Sequence, residues 1–303
     1  MHDIIIVGGG PAGLTAAVYG LRAGKTVLVI EKNSFGGQIA FSPKVENIPG
    51  TQVISGAEFA EALTEQAMNL GADMELETVV SVEKQGSRFL VATEEGSEFY
   101  GSTVILAVGV KHRVLGLPGE EALIGNGISF CAVCDGAFYT GQDVAMVGGG
   151  NSALQEALLL SEVCRKVTIV QNLAHFTGEQ KLVDALMAKE NVEVHFSTLV
   201  TDYHSENGTL TGLRLKNEIT GLSFDLAVDG VFLAVGLQPE NEAFAALADL
   251  NEWGYFDAGE DCRTRTEGLF VAGDCRSKRI RQVVTASSDG AIAAMAAQAV
   301  ANA

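Results

Sequence analysis

The sequence is poor in basic residues, in proline and in cysteine, and each shortage disfavours a class of protein. Its 20 lysines and arginines stand against 38 aspartates and glutamates, and the resulting net charge of −18 disfavours nucleic acid and anionic membranes as partners. Five prolines beside 35 glycines in 303 residues are not typical of disorder and fit an α/β fold with tight turns. Five cysteines, an odd number, favour a reducing compartment in which a disulfide is catalytic rather than structural.

Long apolar runs and a leader segment are also missing. No uninterrupted apolar stretch of about 20 residues occurs, so we expect no membrane span. The first apolar strand, residues 4–7, follows Met1 almost at once and leaves no room for a basic segment, an apolar signal core and a cleavage site. We therefore expect a cytoplasmic protein. The length is sufficient for two domains of ordinary size.

What the chain does contain, first of all, is a dinucleotide-binding motif. A short apolar strand leads into Gly8, Gly10 and Gly13, which have G-x-G-x-x-G spacing. Such glycines allow a tight turn, close approach to a pyrophosphate and close packing of the next helix. A second apolar run, residues 26–30, ends at Glu31, whose carboxylate can bind a ribose diol. The glycines alone could be a structural turn, whereas the full order predicts a nucleotide site.

Two cysteines separated by two residues, Cys131 and Cys134, form the second motif. Such a pair can cycle between a dithiol and a disulfide. The alternative is half of a zinc site, which needs two further ligands at compatible spacing, and Cys164, Cys262 and Cys275 stand alone. We therefore predict a redox pair and no metal site, and we interpret the three single cysteines as thiols of the core.

A second glycine motif follows the cysteine pair. Gly148, Gly150 and Ala153 repeat the first motif's spacing between an apolar strand and a helix. The next strand, residues 167–170, should end at a carboxylate that reads an unphosphorylated ribose or at an arginine that reads a 2′-phosphate. Residues 171–177, Gln-Asn-Leu-Ala-His-Phe-Thr, contain neither. Because each missing charge-assisted hydrogen bond is worth roughly 1.5 to 3 kcal/mol, the sequence predicts weak binding of NADPH.

Four motifs, in this order, make the chain resemble the low-molecular-weight thioredoxin reductases, which are FAD-dependent members of the pyridine nucleotide-disulfide oxidoreductase superfamily. The motifs are Gly-Gly-Gly-Pro-Ala-Gly at 8–13, Gly-Gly-Gln with Val-Glu-Asn at 36–38 and 45–47, Cys-Ala-Val-Cys-Asp-Gly at 131–136, and Gly-Asp with Arg-Gln-Val at 273–274 and 281–283. The resemblance covers essentially the whole length of the chain.

The resemblance implies an α/β protein with two Rossmann-like dinucleotide-binding domains, the second inserted into the first. The discontinuous FAD-binding domain would comprise residues 1–113 and 241–303, and residues 114–240 would form the pyridine-nucleotide-type domain that carries the cysteine pair. The implied FAD site includes residues from both ends of the chain. They are Gly8, Gly10, Pro11, Ala12, Gly13, Glu31, Gly37, Gln38, Asn47, Val79, Gly109, Gly273, Asp274, Arg281, Gln282 and Val283.

The resemblance also implies a mechanism and partners. Electrons would pass from reduced flavin to the disulfide through Cys134, and Cys131 would then attack the disulfide of thioredoxin. Asp135 would supply or accept the thiol proton. A second interpretation of Asp135 is a turn-stabilising residue before Gly136. The family implies a homodimer.

The electron donor is where the chain departs from the family's pattern. The His-Arg-Arg stretch and the further arginine that bind the NADPH 2′-phosphate align with Gln171, Asn172, Leu173 and Thr177. Ferredoxin-linked flavoenzyme thioredoxin reductases share this loss, and reduced ferredoxin is therefore a candidate donor.

A basic cluster near the end of the chain is a candidate contact for an acidic ferredoxin. Its members are Arg276, Lys278, Arg279 and Arg281. The alternatives for this cluster are a solvated face and neighbours of the flavin phosphates. For the whole chain, the alternatives are an NAD(P)H-dependent reductase with weak nucleotide recognition, a dithiol oxidase of the same fold, and a flavin-bearing redox sensor.

Overall fold

The computed structural model describes residues 1–42 and 45–301. In chain order, the α-helices are α1 (Pro11–Arg22), α2 (Gly56–Asn69), α3 (Glu120–Leu123), α4 (Ala132–Asp135), α5 (Asn151–Val163), α6 (Gln180–Met187) and α7 (Val283–Ala301). The strands are β1 (His2–Val7), β2 (Val27–Glu31), β3 (Asp73–Leu76), β4 (Val79–Gln85), β5 (Arg88–Thr93), β6 (Glu98–Leu106), β7 (Val110–His112), β8 (Ile128–Ser129), β9 (Asp143–Val147), β10 (Lys166–Val170), β11 (Val192–His195), β12 (Thr198–Glu206), β13 (Thr209–Asn217), β14 (Ser223–Ala227), β15 (Gly230–Leu233), β16 (Leu237–Pro239) and β17 (Leu269–Val271). The 3₁₀ helices span Gly37–Phe41, Gly136–Tyr139, Glu242–Phe244 and Gly273–Cys275.

The chain forms two compact units. Within the described residues, the first unit comprises 1–42, 48–111 and 238–301, and the second comprises 45–47 and 112–237. The first unit is therefore assembled from both ends of the chain, and the second is inserted into it. Both units combine parallel strands with helices, which is the α/β class that the sequence predicts.

The first unit is built on a seven-stranded sheet of order β3-β2-β1-β6-β5-β4, in which β17 also pairs with β6. The strands β3, β2, β1, β6 and β17 pair in parallel, and β4 and β5 extend the sheet as an antiparallel meander. Along β1, Ile4 and Ile6 belong to one apolar core while Ile5 and Val7 belong to another. Side chains of a strand alternate between faces, so this continuous apolar run is explained by burial on both sides.

The last helix, α7, is the alanine-rich helix at the end of the first unit. By length and composition alone it is apolar enough to cross a membrane. It packs closely on α1, because a Cβ at Gly290 would lie 2.0 Å from the Ala12 carbonyl oxygen. It also carries the buried Asp289, which forms ion pairs with Arg276 and Lys278. These are the contacts of a helix packed within a protein unit.

The second unit contains a five-stranded sheet of order β11-β10-β9-β15-β8, in which every pair is parallel. A three-stranded antiparallel sheet, β12-β13-β14, completes it. Along β9, Val144 and Met146 belong to one core and Ala145 and Val147 to the other. The strand, glycine turn and helix of the first unit are thus repeated.

The two helices that follow the glycine motifs begin at Pro11 and Asn151. The residues that precede them, Gly10 and Gly150, are extended and serve as the N-caps. Proline is accepted at the first helical position because the amide of that position needs no helical partner. The glycine turn therefore runs directly into the helix.

Candidate active site and cofactor cradles

The first glycine turn leaves no room for side chains. Gly8 has a φ of +106°, and a Cβ there would lie 2.3 Å from the Ala107 carbonyl oxygen. A Cβ at Gly13 would lie 1.9 Å from the Gly8 carbonyl oxygen. The turn between β1 and α1 therefore requires glycine, and it presents backbone amides at the positive end of α1, where an anion is stabilised. We call this turn with Glu31 the first cradle.

Glu31 lies at the end of β2, beside the turn. Its carboxylate accepts the Gly9 N–H at 2.7 Å and the Asn33 N–H at 2.9 Å. A carboxylate has about four acceptor positions, so two remain available for the hydroxyls of a ribose. The structure thus brings Glu31 to the glycines, as the spacing predicts.

A second glycine loop meets the first. A Cβ at Gly37 (φ +66°) would lie 3.0 Å from the Cα of Gly10, and the side-chain amide of Gln38 donates to the Val110 carbonyl. Gly109 has a φ of +68°, and apart from Val108 to Val110 no described residue has an atom within 4 Å of the Cβ that it would carry. The loops at 37 and 109 therefore form one edge of the cradle.

Asp274 follows β17 in the Gly273–Cys275 3₁₀ helix and has an unmet hydrogen-bonding demand. Its Oδ1 is buried, and nothing among the described residues donates a hydrogen bond to it. Burial raises the pKa of this carboxyl. The Nε of Arg281 donates to the Asp274 carbonyl at 3.3 Å, and the Arg281 guanidinium lies over the Tyr255 ring at 4.3 Å. A hydroxyl donor from a bound ligand would satisfy Oδ1.

The remaining predicted cofactor residues are spread more widely. Pro11 and Ala12 open α1, and a Cβ at Gly273 would lie 2.9 Å from that of Ala12. Val79 opens β4 and packs on the core, whereas Asn47 is exposed and groups with the second unit. The remaining two lie at the start of α7. They are Gln282, whose N–H donates to Thr285 Oγ1 at 3.2 Å, and Val283, the helix's first residue.

Two of the four members of the basic cluster are buried in ion pairs, whereas Arg279 is exposed. Arg276 and Lys278 pair with Asp289 at 3.0 and 2.9 Å, and the three side chains are only 9%, 9% and 7% exposed. Asp289 also accepts the Gly273 N–H at 3.1 Å. The interpretation of this cluster as a docking surface is wrong for Arg276 and Lys278, which are buried in ion pairs. The sequence alone does not show that an acid on another element neutralises these two side chains. Sequence reasoning missed Asp289, which lies 11 residues beyond Lys278 on α7.

In the second unit, Cys131 and Cys134 form a disulfide with their Cα atoms 5.3 Å apart. Cys131 is the N-cap of α4, and its sulfur accepts the Cys134 N–H at 3.2 Å. Both cysteines are partly exposed, and Val133 between them is exposed. The structure therefore places the predicted pair at the start of a helical turn, where it is partly exposed to solvent.

Asp135, the last residue of α4, is linked to the pair through Ser129. The Ser129 hydroxyl donates to Asp135 Oδ2 at 2.5 Å and accepts the Cys131 N–H at 3.1 Å. Asp135 Oδ1 is buried and has no hydrogen-bond partner in the part of the chain that the structure describes. Burial raises the pKa of this carboxyl. Its side chain makes no capping hydrogen bond to the following 3₁₀ helix, which disfavours a purely turn-stabilising role.

A second acid, Glu156, lies beside the pair, and sequence reasoning missed it. It belongs to α5, and its carboxylate accepts the Ala132 N–H at 3.0 Å. Burial raises its pKa to about 7, and the nearby Asp135 charge acts in the same direction. Nothing in the sequence distinguishes Glu156 from Glu162, the other acid of the same helix.

The second glycine turn repeats the construction of the first. Gly148 has a φ of +132°, and a Cβ there would lie 2.5 Å from the Ala234 carbonyl oxygen. Where Glu31 lies in the first cradle, Gln171 lies here: it is 4% exposed, and its amide donates to the His175 carbonyl at 3.1 Å. A Cβ at Gly149 would lie 2.5 Å from the Gln171 amide group. We call this turn with Gln171 the second cradle.

A carboxylate also lies where an anion would be expected. Glu179 accepts a hydrogen bond from the Asn151 side-chain amide at 3.2 Å, and its own N–H donates to the Asn151 side chain at 2.7 Å. Asn151 is the first residue of α5, the end at which phosphate groups usually bind. Residues 171–177 contain no lysine or arginine, the side chains that usually bind a ribose 2′-phosphate.

The comparisons with known proteins agree with this geometry. Residues 2–290 match the model of the family described as pyridine nucleotide-disulphide oxidoreductase. The chain is 39% identical over 298 residues to a thioredoxin reductase of Bacillus subtilis, covering 98% of this chain and 94% of that protein. A crystal structure of thioredoxin reductase from Streptococcus pyogenes superposes with a TM-score of 0.94 at 36% identity, covering 99% of this chain and 98% of that one. The chain belongs to the thioredoxin reductases of this family.

A third relative is named a bifunctional thioredoxin reductase/thioredoxin, from Mycobacterium leprae. It is 41% identical over an alignment of 302 positions that covers 98% of this chain and 65% of that protein. These comparisons confirm the predicted family and the fold of two dinucleotide-binding domains. They also confirm that the protein is a thioredoxin-disulfide reductase by enzyme class.

The family implies FAD, and the residues of the first cradle fit it. The glycine turn at the start of α1 suits a pyrophosphate, Glu31 suits a ribose diol, and the unmet Oδ1 of Asp274 suits a hydroxyl of the ribityl chain. Within the described residues, no group of three or more His, Cys, Asp or Glu side chains could hold a metal ion.

Proposed function

We propose that this thioredoxin reductase is an FAD-dependent thioredoxin-disulfide reductase, in which the Cys131/Cys134 pair passes electrons to thioredoxin. The domain of residues 1–113 and 241–303 binds FAD, and residues 114–240 carry the pair. The observation that carries the proposal is the disulfide at the start of α4, joined through Ser129 to an acid with a raised pKa. The bifunctional relative, whose name couples both activities, supports thioredoxin as the partner.

The chain's own residues carry the exchange with thioredoxin. When bound and reduced, FAD supplies the two electrons that convert the disulfide into two thiols. The Cys131 thiolate then attacks the partner's disulfide, which forms a mixed disulfide and releases one partner thiolate. The Cys134 thiolate attacks the Cys131 sulfur, restores the pair and releases the second partner thiolate. Asp135, whose pKa is raised, holds and returns a proton at Oδ1 during these steps.

For the electron donor we propose reduced ferredoxin rather than NADPH. This rests on the second cradle, where Gln171 replaces a ribose reader, Glu179 lies at the start of α5 and residues 171–177 contain no cation. The basic cluster gives this proposal no support, because Arg276 and Lys278 are paired with Asp289. An NAD(P)H-dependent enzyme with weak nucleotide recognition and a dithiol oxidase are the competing outcomes.

Turnover with different donors tests the proposal. Anaerobic thioredoxin reduction should proceed with reduced ferredoxin and be much slower with NADPH or NADH at equal concentration. Oxygen consumption with a small dithiol, combined with inertness toward thioredoxin, would identify an oxidase instead. We further propose a cytoplasmic homodimer, and sedimentation at micromolar concentration that shows only monomer would contradict the dimer.

A further inference from the structure

An acid on a neighbouring helix, Glu156 of α5, accepts a hydrogen bond from the backbone between the two redox cysteines. Ala132 lies between the two cysteines, is 6% exposed and donates its N–H to Glu156 at 3.0 Å. We propose that Glu156 is a positioning residue for the pair: its hydrogen bond fixes the first turn of α4, and its ionisation sets how readily the Cys131 thiol ionises in the reduced enzyme. This inference rests on the proposed role of the pair as the redox centre.

The hydrogen bond to Glu156 supplies an acceptor for a backbone N–H that has none within its own helix. The helix α4 has only four residues, and the Cys131 carbonyl accepts the N–H groups of Cys134 at 3.2 Å and Asp135 at 3.0 Å. The Ala132 N–H is one of the first amides of the helix and has no acceptor within it. An unpaired buried amide costs about 1 to 3 kcal/mol, so Glu156 stabilises the turn by supplying the acceptor.

Glu156 changes its charge near neutral pH, because burial raises its pKa to about 7. No described lysine or arginine forms an ion pair with it, and Asp135 is the charged group that acts on it from α4. Burial also raises the pKa of Tyr139, in the next 3₁₀ helix, to about 12, so that phenol stays neutral.

The other charged groups on elements that pack against α5 point to solvent or are ion-paired. On α6 they are the exposed Lys181 and Asp184, and on β9 and β10 they are Asp143 and Lys166, paired with Arg165 and Glu193.

The sign of the effect follows from these charges. A neutral Glu156 does not oppose a thiolate on Cys131, whereas an ionised Glu156 opposes it by like-charge repulsion. As the pH rises through about 7, Glu156 therefore ionises over the same range as Cys131, and its negative charge opposes the ionisation of the thiol. The thiolate fraction should rise over a wider pH range than it does for an isolated thiol.

Alkylation of the reduced, FAD-loaded protein measures this directly. The full chain would be treated with iodoacetamide between pH 5.5 and 9, and the modification of Cys131 would be followed by mass spectrometry. Glu156→Gln keeps an acceptor for the Ala132 N–H but cannot ionise, so we expect a single-step curve and a rate at pH 8 that is roughly three- to tenfold above that of the native protein. Glu162→Gln, an exposed position on the same helix, is the control and should retain the broad native curve.

Two further variants keep the inference open to contradiction. Asp135→Asn removes the charge that helps to raise the pKa of Glu156. The part of the Cys131 alkylation curve that reflects the ionisation of Glu156 should therefore move to lower pH. Glu156→Ala removes the acceptor and should lower thioredoxin turnover several-fold, whereas Glu156→Gln should restore it. If neither Glu156→Gln nor Asp135→Asn changes the alkylation curve, the inference is wrong. A failure to reduce thioredoxin with an intact effect on alkylation would instead overturn the proposed function alone.

Discussion

The two glycine cradles of this chain are built alike and end differently. Gly8 and Gly148 both have positive φ angles, and a Cβ at either position would clash with a carbonyl oxygen at the end of a neighbouring strand. The first cradle then ends at Glu31, whose carboxylate can accept hydrogen bonds from hydroxyls, and the second at Gln171, whose amide donates to the His175 carbonyl. The glycine spacing therefore specifies the turn, and we propose that the residue at the end of the following strand decides which ligand the turn binds.

The reactive groups of the two units differ in the same way. The first unit offers oxygen acceptors with spare capacity, Glu31 and Asp274, which suit a cofactor. The second unit offers sulfur at Cys131 and Cys134, together with an acid, Asp135, whose pKa is raised. The comparison thus predicts that cofactor binding and disulfide chemistry can be removed separately.

The largest expected effect separates disulfide chemistry from cofactor binding. Cys134→Ser removes one sulfur of the pair and should lower thioredoxin reduction by about a thousandfold or more, because no second thiol remains to resolve the mixed disulfide. The yellow FAD absorbance per protein should be unchanged. Activity above a tenth of the native value, or loss of FAD, would contradict this separation.

The next effect compares the cradles through matched substitutions. Gly8→Ala places a Cβ 2.3 Å from the Ala107 carbonyl oxygen and should weaken FAD binding by about 10- to 100-fold, since strain of this kind costs about 1 to 3 kcal/mol. Gly148→Ala places a Cβ 2.5 Å from the Ala234 carbonyl oxygen and should lower the melting temperature while leaving the FAD content intact. Fluorescence titration of the apoproteins with FAD measures both, and an equal loss of FAD in the two variants would break the comparison.

A gain of function sharpens the comparison further. Asn172, Leu173 and Thr177 are exposed in the second cradle, so arginines can be introduced at all three positions without burial. The triple variant should lower the KM for NADPH by about tenfold or more, because charge-assisted hydrogen bonds to the 2′-phosphate become available. The KM for NADH, which lacks that phosphate, is the internal control. An unchanged KM for NADPH would show that something other than the missing cations limits the site.

The smallest effect concerns Asp274. Because burial raises the pKa of this carboxyl, the folded protein binds its proton more tightly than the unfolded chain, and stability falls as the pH rises through the raised pKa. In the FAD-free protein, Asp274→Asn should therefore flatten the fall in melting temperature that accompanies a rise in pH above the ordinary pKa of an aspartate, about 4. It should weaken FAD binding only a few-fold, about 1 kcal/mol for one hydrogen bond. An unaltered pH slope would contradict the assignment.

The sequence predicted those parts of the site that depend on local spacing. Gly8, Gly13 and Glu31 belong to one strand-turn-helix-strand unit, and Cys131 and Cys134 belong to one helical turn, so neighbouring positions determine their geometry. The family resemblance added residues near the end of the chain, such as Gln282.

The parts that the sequence did not predict depend on contacts between elements. Glu156 reaches Ala132 from 24 residues away. The basic cluster was misinterpreted for the same reason, since the acid that neutralises Arg276 and Lys278, Asp289, lies on another element. Spacing within a motif carries no information about which partner a fold will bring to it.

The most direct test of the account follows flavin reduction in the purified, FAD-loaded protein under anaerobic conditions. The account predicts that reduced ferredoxin bleaches the flavin absorbance within one catalytic turnover and that equal concentrations of NADPH and NADH do so far more slowly. Rapid, stoichiometric bleaching by NADPH, or a colourless protein that cannot be reconstituted with FAD, would contradict it.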